Sequence, residues 1–338
     1  MKFLSNNFDN IFKTENILNL SAFILIIFVF INFIHNSSDR YQLVENNTYV
    51  KMSNNEFKKN INNLLIADST YAYKLDKKCE ITGNMHDRHK VRWVKALFLK
   101  HIFKISHSTN PSLPYYVNIL LHSFLIFLTL IFLNKAFKLE KIFIVFFLLY
   151  ITFVFQQHLG EYSYSIFEMF FVSIALYASK NKNILLLSLV SILAVLNRES
   201  GFLIPLIWLI FNSDYKKLII CFGVVFTTFF ALNFNLIECL FNPKFFIPLE
   251  RQEGQVNISD LKYSNFFSVG KLLIINFIFP FGIIILNYIK SNIKNNFFVI
   301  IVSLYFLMFL FATPIHHVAV RMIILPLIFT SFYLAKQK

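Results

Sequence analysis

Side chains able to move a proton or bind an anion are few in this chain, and they fall into short, separate stretches. HDRH places His86, Asp87, Arg88 and His89 together. LNRESGFLIPL sets Arg198 and Glu199 between the apolar runs ILLLSLVSILAV and FLIPLIWLIF. Glu168 interrupts SYSIFEMFFVSIALY, and TPIHH brings His316 and His317 just ahead of Arg321. Asp39 and Arg40 follow the first apolar run, and Glu250, Arg251 and Glu253 share one later polar stretch. An ionisable group at membrane depth is rare and is usually paired or functional, so Arg198, Glu199 and Glu168 stand apart from charges on solvated loops. Arg198 and Glu199 can pair with each other, or Glu199 and Ser200 can open a helix. Glu168 has Arg198 and Arg321 as candidate partners. His316 and His317 suit either a helix cap or a proton donor. HDRH lacks the spacing of a metal set, with no HExxH or HxH beside it, so no metal site is assigned and a need for a divalent cation stays open.

Composition says what must position these residues. Of 338 residues, 57% are hydrophobic, 18% aromatic and only 15% charged, with a mean hydropathy of +0.59, which excludes an ordinary soluble domain. A net charge of +14 raises nucleic acid as a partner, but lysines in a membrane protein chiefly set orientation, and no nucleic acid is expected. Cys79, Cys221 and Cys239 form no metal pattern, and only a Cys79–Cys239 bridge is conceivable. The abundance of Phe, Ile, Asn and Lys matches an AT-rich coding bias.

Ten apolar segments read as candidate spans, at about 17–34, 114–133, 141–157, 163–178, 183–196, 201–212, 218–235, 270–289, 296–312 and 320–335, with 183–196 and 201–212 too short to cross a bilayer fully. The expected fold is therefore an all-α, polytopic transmembrane bundle forming one domain over residues 1–338. No small-residue cleavage site follows the first segment, so it reads as an uncleaved span. Connectors alternate in basic content: Lys135, Lys138 and Lys141; then HLGEYS; then Lys180 and Lys182; then Arg198 alone; and later Lys216, Lys217, Lys290, Lys294, Lys336 and Lys338. The positive-inside rule makes the lysine side cytoplasmic, with both termini there, in a multi-pass protein of the inner (plasma) membrane. That parity requires NRESG to be a turn between two short spans rather than the middle of one helix. Residues 35–113 form a long extracytoplasmic loop in which 91–105 carries apolar residues at helical spacing with Lys90, Lys95 and Lys104, an amphipathic helix for the membrane interface. A second outer loop covers 236–269.

These features resemble the GT-C superfamily of integral-membrane glycosyltransferases, near the protein O-mannosyltransferase and lipid-sugar transferase groups. The resemblance rests on the long loop after the first span, YSYSIFEMFFVSIALYASKNK and LVSILAVLNRESGFLIPLIWLI, chiefly residues 110–212. It implies transfer of a sugar from a polyprenyl-phosphate carrier to an acceptor on the extracytoplasmic face, in cell-surface glycan or glycolipid synthesis. It also implies a first-loop carboxylate as general base, for which Asp39 and Asp87 are the candidates, although the family's acidic pair is missing from this loop. Arg88, Arg198 and Arg321, with Glu168, Glu199 and His316, form the implied substrate- and phosphate-binding set, because guanidinium groups hold phosphate in two-point contacts. The implied partners are the lipid-linked donor, membrane lipid and an acceptor of unspecified chemistry. The competing expectations are an oligosaccharide polymerase and a lipid-linked-oligosaccharide flippase or transporter.

Overall fold

A computed structural model of the chain describes residues 39–44, 48–53, 94, 113–158, 163–234, 278–311 and 318–337. Strands β1 (Asp39–Val44) and β2 (Thr48–Ser53) form an antiparallel hairpin that pairs Asp39 with Ser53 and Val44 with Thr48. The sequence predicts a polar, Asn-rich stretch here and no strand; from Leu113 onward the expected all-α architecture holds for the described residues. Tyr41, Leu43, Thr48, Tyr49 and Val50 favour a pleated backbone. Within the expected interfacial helix 91–105 only Val94 is described, as helical and buried. The first expected span and the loop 236–269 lie outside the described residues.

From Leu113 onward the described residues are helical apart from short connectors. The helices are α1 (Leu113–Phe137), α2 (Lys141–His158), α3 (Ser163–Lys180) and α4 (Ile184–Asn197). A 3-10 helix η1 (Glu199–Ile207) runs into α5 (Trp208–Phe211), followed by α6 (Tyr215–Leu232), α7 (Phe279–Ser291), α8 (Asn296–Phe311) and α9 (Val318–Lys336). They coincide with the apolar runs, where a helix pairs backbone N–H and C=O groups within its own segment. Two windows, Leu120–Phe137 and Tyr215–Leu232, are long and apolar enough to cross a membrane.

Local chemistry sets where the helices stop. Lys138 and Lys182 take left-handed backbone angles just past α1 and α3, with φ of 51° and 55°. The Asn183 N–H then donates to the Ala178 carbonyl at 2.8 Å, closing the end of α3. Asn183 in turn caps α4 by accepting from the Leu186 N–H at 3.0 Å. Asp214 caps α6 in the same way, and the Lys217 backbone N–H it accepts holds its carboxyl below the usual carboxylate range.

α3 is the central helix. From Ser165 to Ser179 nearly every side chain is buried on all faces, packed by α1, α4, α9 and η1. The outer helices are one-sided. On α4, Val190, Ala194 and Asn197 face inward, whereas Leu185, Leu189 and Leu193 form an exposed apolar stripe. α6 exposes Ile219, Ile220, Val224 and Phe226 as well, and its exposed Thr227 hydroxyl donates to the Gly223 carbonyl of its own helix at 2.8 Å.

Five contacts bring the lysine-bearing connectors to one pole of the bundle. The Asn212 amide, after α5, donates to the Ser179 carbonyl at 2.7 Å, and the Asn295 amide, before α8, donates to Ile210 at 2.8 Å. The Lys180 ammonium donates to the Ala136 carbonyl and lies 4.2 Å from the centre of the Tyr333 ring, and Lys336 pairs with Glu140. Lys180 thereby joins α1, α3 and α9. Lys180→Met keeps the stem and removes the charge, and a loss of about 1–2 kcal/mol is expected, read from the unfolding midpoint in detergent.

Candidate functional site

Away from the lysine pole, α3 carries a carboxylate where water cannot reach it. Glu168 is 1% exposed. A carboxylate in that position needs partners to remain charged, since removing it from water costs several kcal/mol, roughly, in real proteins. Both partners come from the NRESG stretch. The Ser200 hydroxyl donates to Glu168 Oε1, and Arg198 Nη1 lies 3.5 Å from Oε2.

The break between α4 and η1 delivers these groups. Arg198 has extended backbone, φ −164° and ψ 150°, and serves at once as the last cap of α4 and the first of η1. Its N–H donates to the Ala194 carbonyl at 2.8 Å, and its own carbonyl accepts from the Gly201 N–H at 2.9 Å. η1 then folds back along α4 so closely that a Cβ on Gly201 would lie 2.3 Å from the Ala194 carbonyl carbon. Only glycine fits there. The expected turn at NRESG is therefore a tight helical hairpin, and Asn212 on Ser179 shows that its second arm returns to the pole from which α4 left.

Burial within the pair is unequal. The Glu168 side chain is 2% exposed and that of Arg198 is 25% exposed, so the carboxylate is enclosed while the arginine side chain keeps some contact with the surroundings. A guanidinium has five N–H donors in a planar fork, and one carboxylate contact leaves several of them for an anion. Tyr305 of α8 adds a fully buried phenol within electrostatic reach of Glu168, and its hydroxyl has no hydrogen-bond partner among the described residues. His122 of α1 is also buried, at about the same height in the bundle by helical rise.

Of the sequence-derived site residues, Glu168 and Arg198, one of its two candidate partners, are brought into contact. Glu199 begins η1, Arg321 lies in the first turn of α9 and Asp39 begins β1; their side chains are not described. Asp87, Arg88 and His316 lie outside the described residues, as do Cys79 and Cys239. Ser200 was expected only as a helix start, whereas its hydroxyl serves the carboxylate. His122 could have been found as a lone ionisable residue within an apolar span. Tyr305 gave no signal, since an aromatic residue in such a span is ordinary. Among the described residues no cluster of three or more His, Cys, Asp or Glu could hold a metal ion.

No family model, curated protein or solved structure matches the chain.

Proposed function

We propose that the protein is a multi-pass inner-membrane glycosyltransferase of about ten spans. It would move a sugar from a polyprenyl-phosphate carrier to an acceptor on the side opposite the lysine pole, with both termini on the lysine side. Several features support the membrane placement: the exposed apolar stripes on α4 and α6, the self-satisfied Thr227 hydroxyl, and the gathering of lysine connectors at one pole. The likeness of NRESGFLIPL to the GT-C element supports the reaction class.

One observation carries the functional reading: Arg198 is held by a buried carboxylate while its own side chain stays partly exposed. Held this way, a guanidinium is oriented before a phosphate arrives, so little ordering is left for the reaction to supply. Asp39 or Asp87 would take the proton of the acceptor hydroxyl as it attacks the anomeric carbon. The bond from that carbon to the phosphate oxygen breaks, and the polyprenyl phosphate leaves with its charge held by Arg198, with Arg88 and Arg321 as further candidates.

The test is sugar release from polyprenyl-phosphate sugars by the purified chain. Arg198→Lys keeps a cation beside Glu168 but loses the fork, and transfer is expected to fall roughly a hundredfold. Asp39→Asn and Asp87→Asn, assayed in parallel, should identify the base through loss of turnover. Transfer at the wild-type rate by all three variants would overturn the assignment.

A further inference from the structure

Among the described residues, the lysine pole holds more positive charge than its acidic side chains pair. Its described acidic side chains are Glu140 and Asp214, and each is already paired, with Lys336 and with Lys217. Lys138, Lys182, Lys216, Lys290 and Lys294 are exposed at the same pole.

Helix polarity does not account for this placement. The partial negative charge at a helix C-terminus welcomes Lys135, Lys180 and Lys290, which lie in the last turns of α1, α3 and α7. Lys216 and Lys217 sit instead in the first turn of α6, and Lys294 lies just ahead of α8, where the helix end repels a cation. These lysines follow the pole of the bundle and disregard the direction of the helix. Backbone conformation points the same way. Lys138 and Lys182 hold left-handed positions, φ 51° and 55°, that glycine fills without strain, and the chain has lysine at both.

We infer that this pole is a docking surface for the anionic phospholipid headgroups of the leaflet it faces, with lysines spaced around the bundle rim to take several phosphates at once. The inference rests on the membrane placement proposed above. A surface of this kind gains about a fivefold preference per lysine, or about 1 kcal/mol, and salt weakens it.

The experiment measures the lipids retained by the purified full chain from an equimolar mixture of phosphatidylglycerol and phosphatidylcholine, by native mass spectrometry. Wild type is expected to retain phosphatidylglycerol preferentially. Lys216→Gln with Lys217→Gln should reduce the preference roughly fivefold per lysine, and Lys216→Arg with Lys217→Arg should preserve it. Lys138→Gly with Lys182→Gly should raise the melting temperature while lowering the preference, a combination that a purely structural role would not produce. Equal retention of both lipids by wild type would overturn the inference, as would an unchanged preference in the glutamine variant. Inorganic phosphate raising the melting temperature as much as phosphatidylglycerol does would also overturn it, in favour of free anion binding. Sugar release measured on the same samples separates the two proposals: absent transfer with intact lipid preference removes only the transferase reading. Recovery of the chain in the aqueous phase after alkaline extraction of membranes removes both.

Discussion

Gly201→Ala is expected to lose about 3 kcal/mol of stability, the upper part of the range for a methyl forced into a packed interior. The added Cβ would sit 2.3 Å from the Ala194 carbonyl carbon, 2.4 Å from the Val195 nitrogen and 2.5 Å from the Ala194 oxygen. All three are backbone atoms of α4, so no side chain can swing aside, and relief requires the hairpin arms to separate. Separation would also draw Ser200 and Arg198 away from Glu168. Gly223→Ala is the matched control, because nothing lies within 4 Å of a Cβ there and alanine is the better helix former by about 1 kcal/mol. Equilibrium unfolding of both variants in detergent should show opposite signs. Equal midpoints would mean that the hairpin is not packed as described.

Arg198→Ala should cost a comparable amount, about 3 kcal/mol, by leaving a buried carboxylate without its cation. The Glu168 side chain is 2% exposed, so water cannot replace the lost partner without opening the bundle. The diagnostic variant is the double substitution Glu168→Gln with Arg198→Ala, expected to be more stable than Arg198→Ala alone because no unpaired charge remains. A double-mutant cycle should give a coupling of about 1–3 kcal/mol, and simple additivity would show that the pair is not an interacting unit.

Much of the helical layout was legible in the sequence because long apolar runs favour a segment that satisfies its own backbone, and because lysines cluster where apolar runs end. The break at NRESG was legible for a less direct reason. A continuous helix over 183–212 would have placed Lys216 and Lys217 on the wrong side, and the described structure turns there. Glu168 stood out as a carboxylate within an apolar run, but its contact with Arg198 could not be read from the sequence, since pairing depends on which helices meet. The β1–β2 hairpin was missed because its residues are mixed in polarity and its pairing is a contact between two six-residue stretches with no apolar run to announce it. Tyr305 was missed because burial of a phenol beside a carboxylate arises from the packing of α8 against the rest.

The winding of η1 has a consequence for length. Its nine 3-10 residues and the four of α5 climb about 24 Å, against about 20 Å for the same residues wound as an α-helix. The fourteen residues of α4 climb about 21 Å, so an ordinary return arm carrying the extended Arg198 corner would leave almost no slack. Tighter coiling supplies the missing reach without inserting a residue, letting Asn212 arrive at the Ser179 carbonyl. Helix pitch thus acts here as a gauge of depth, lengthening one limb without adding a residue.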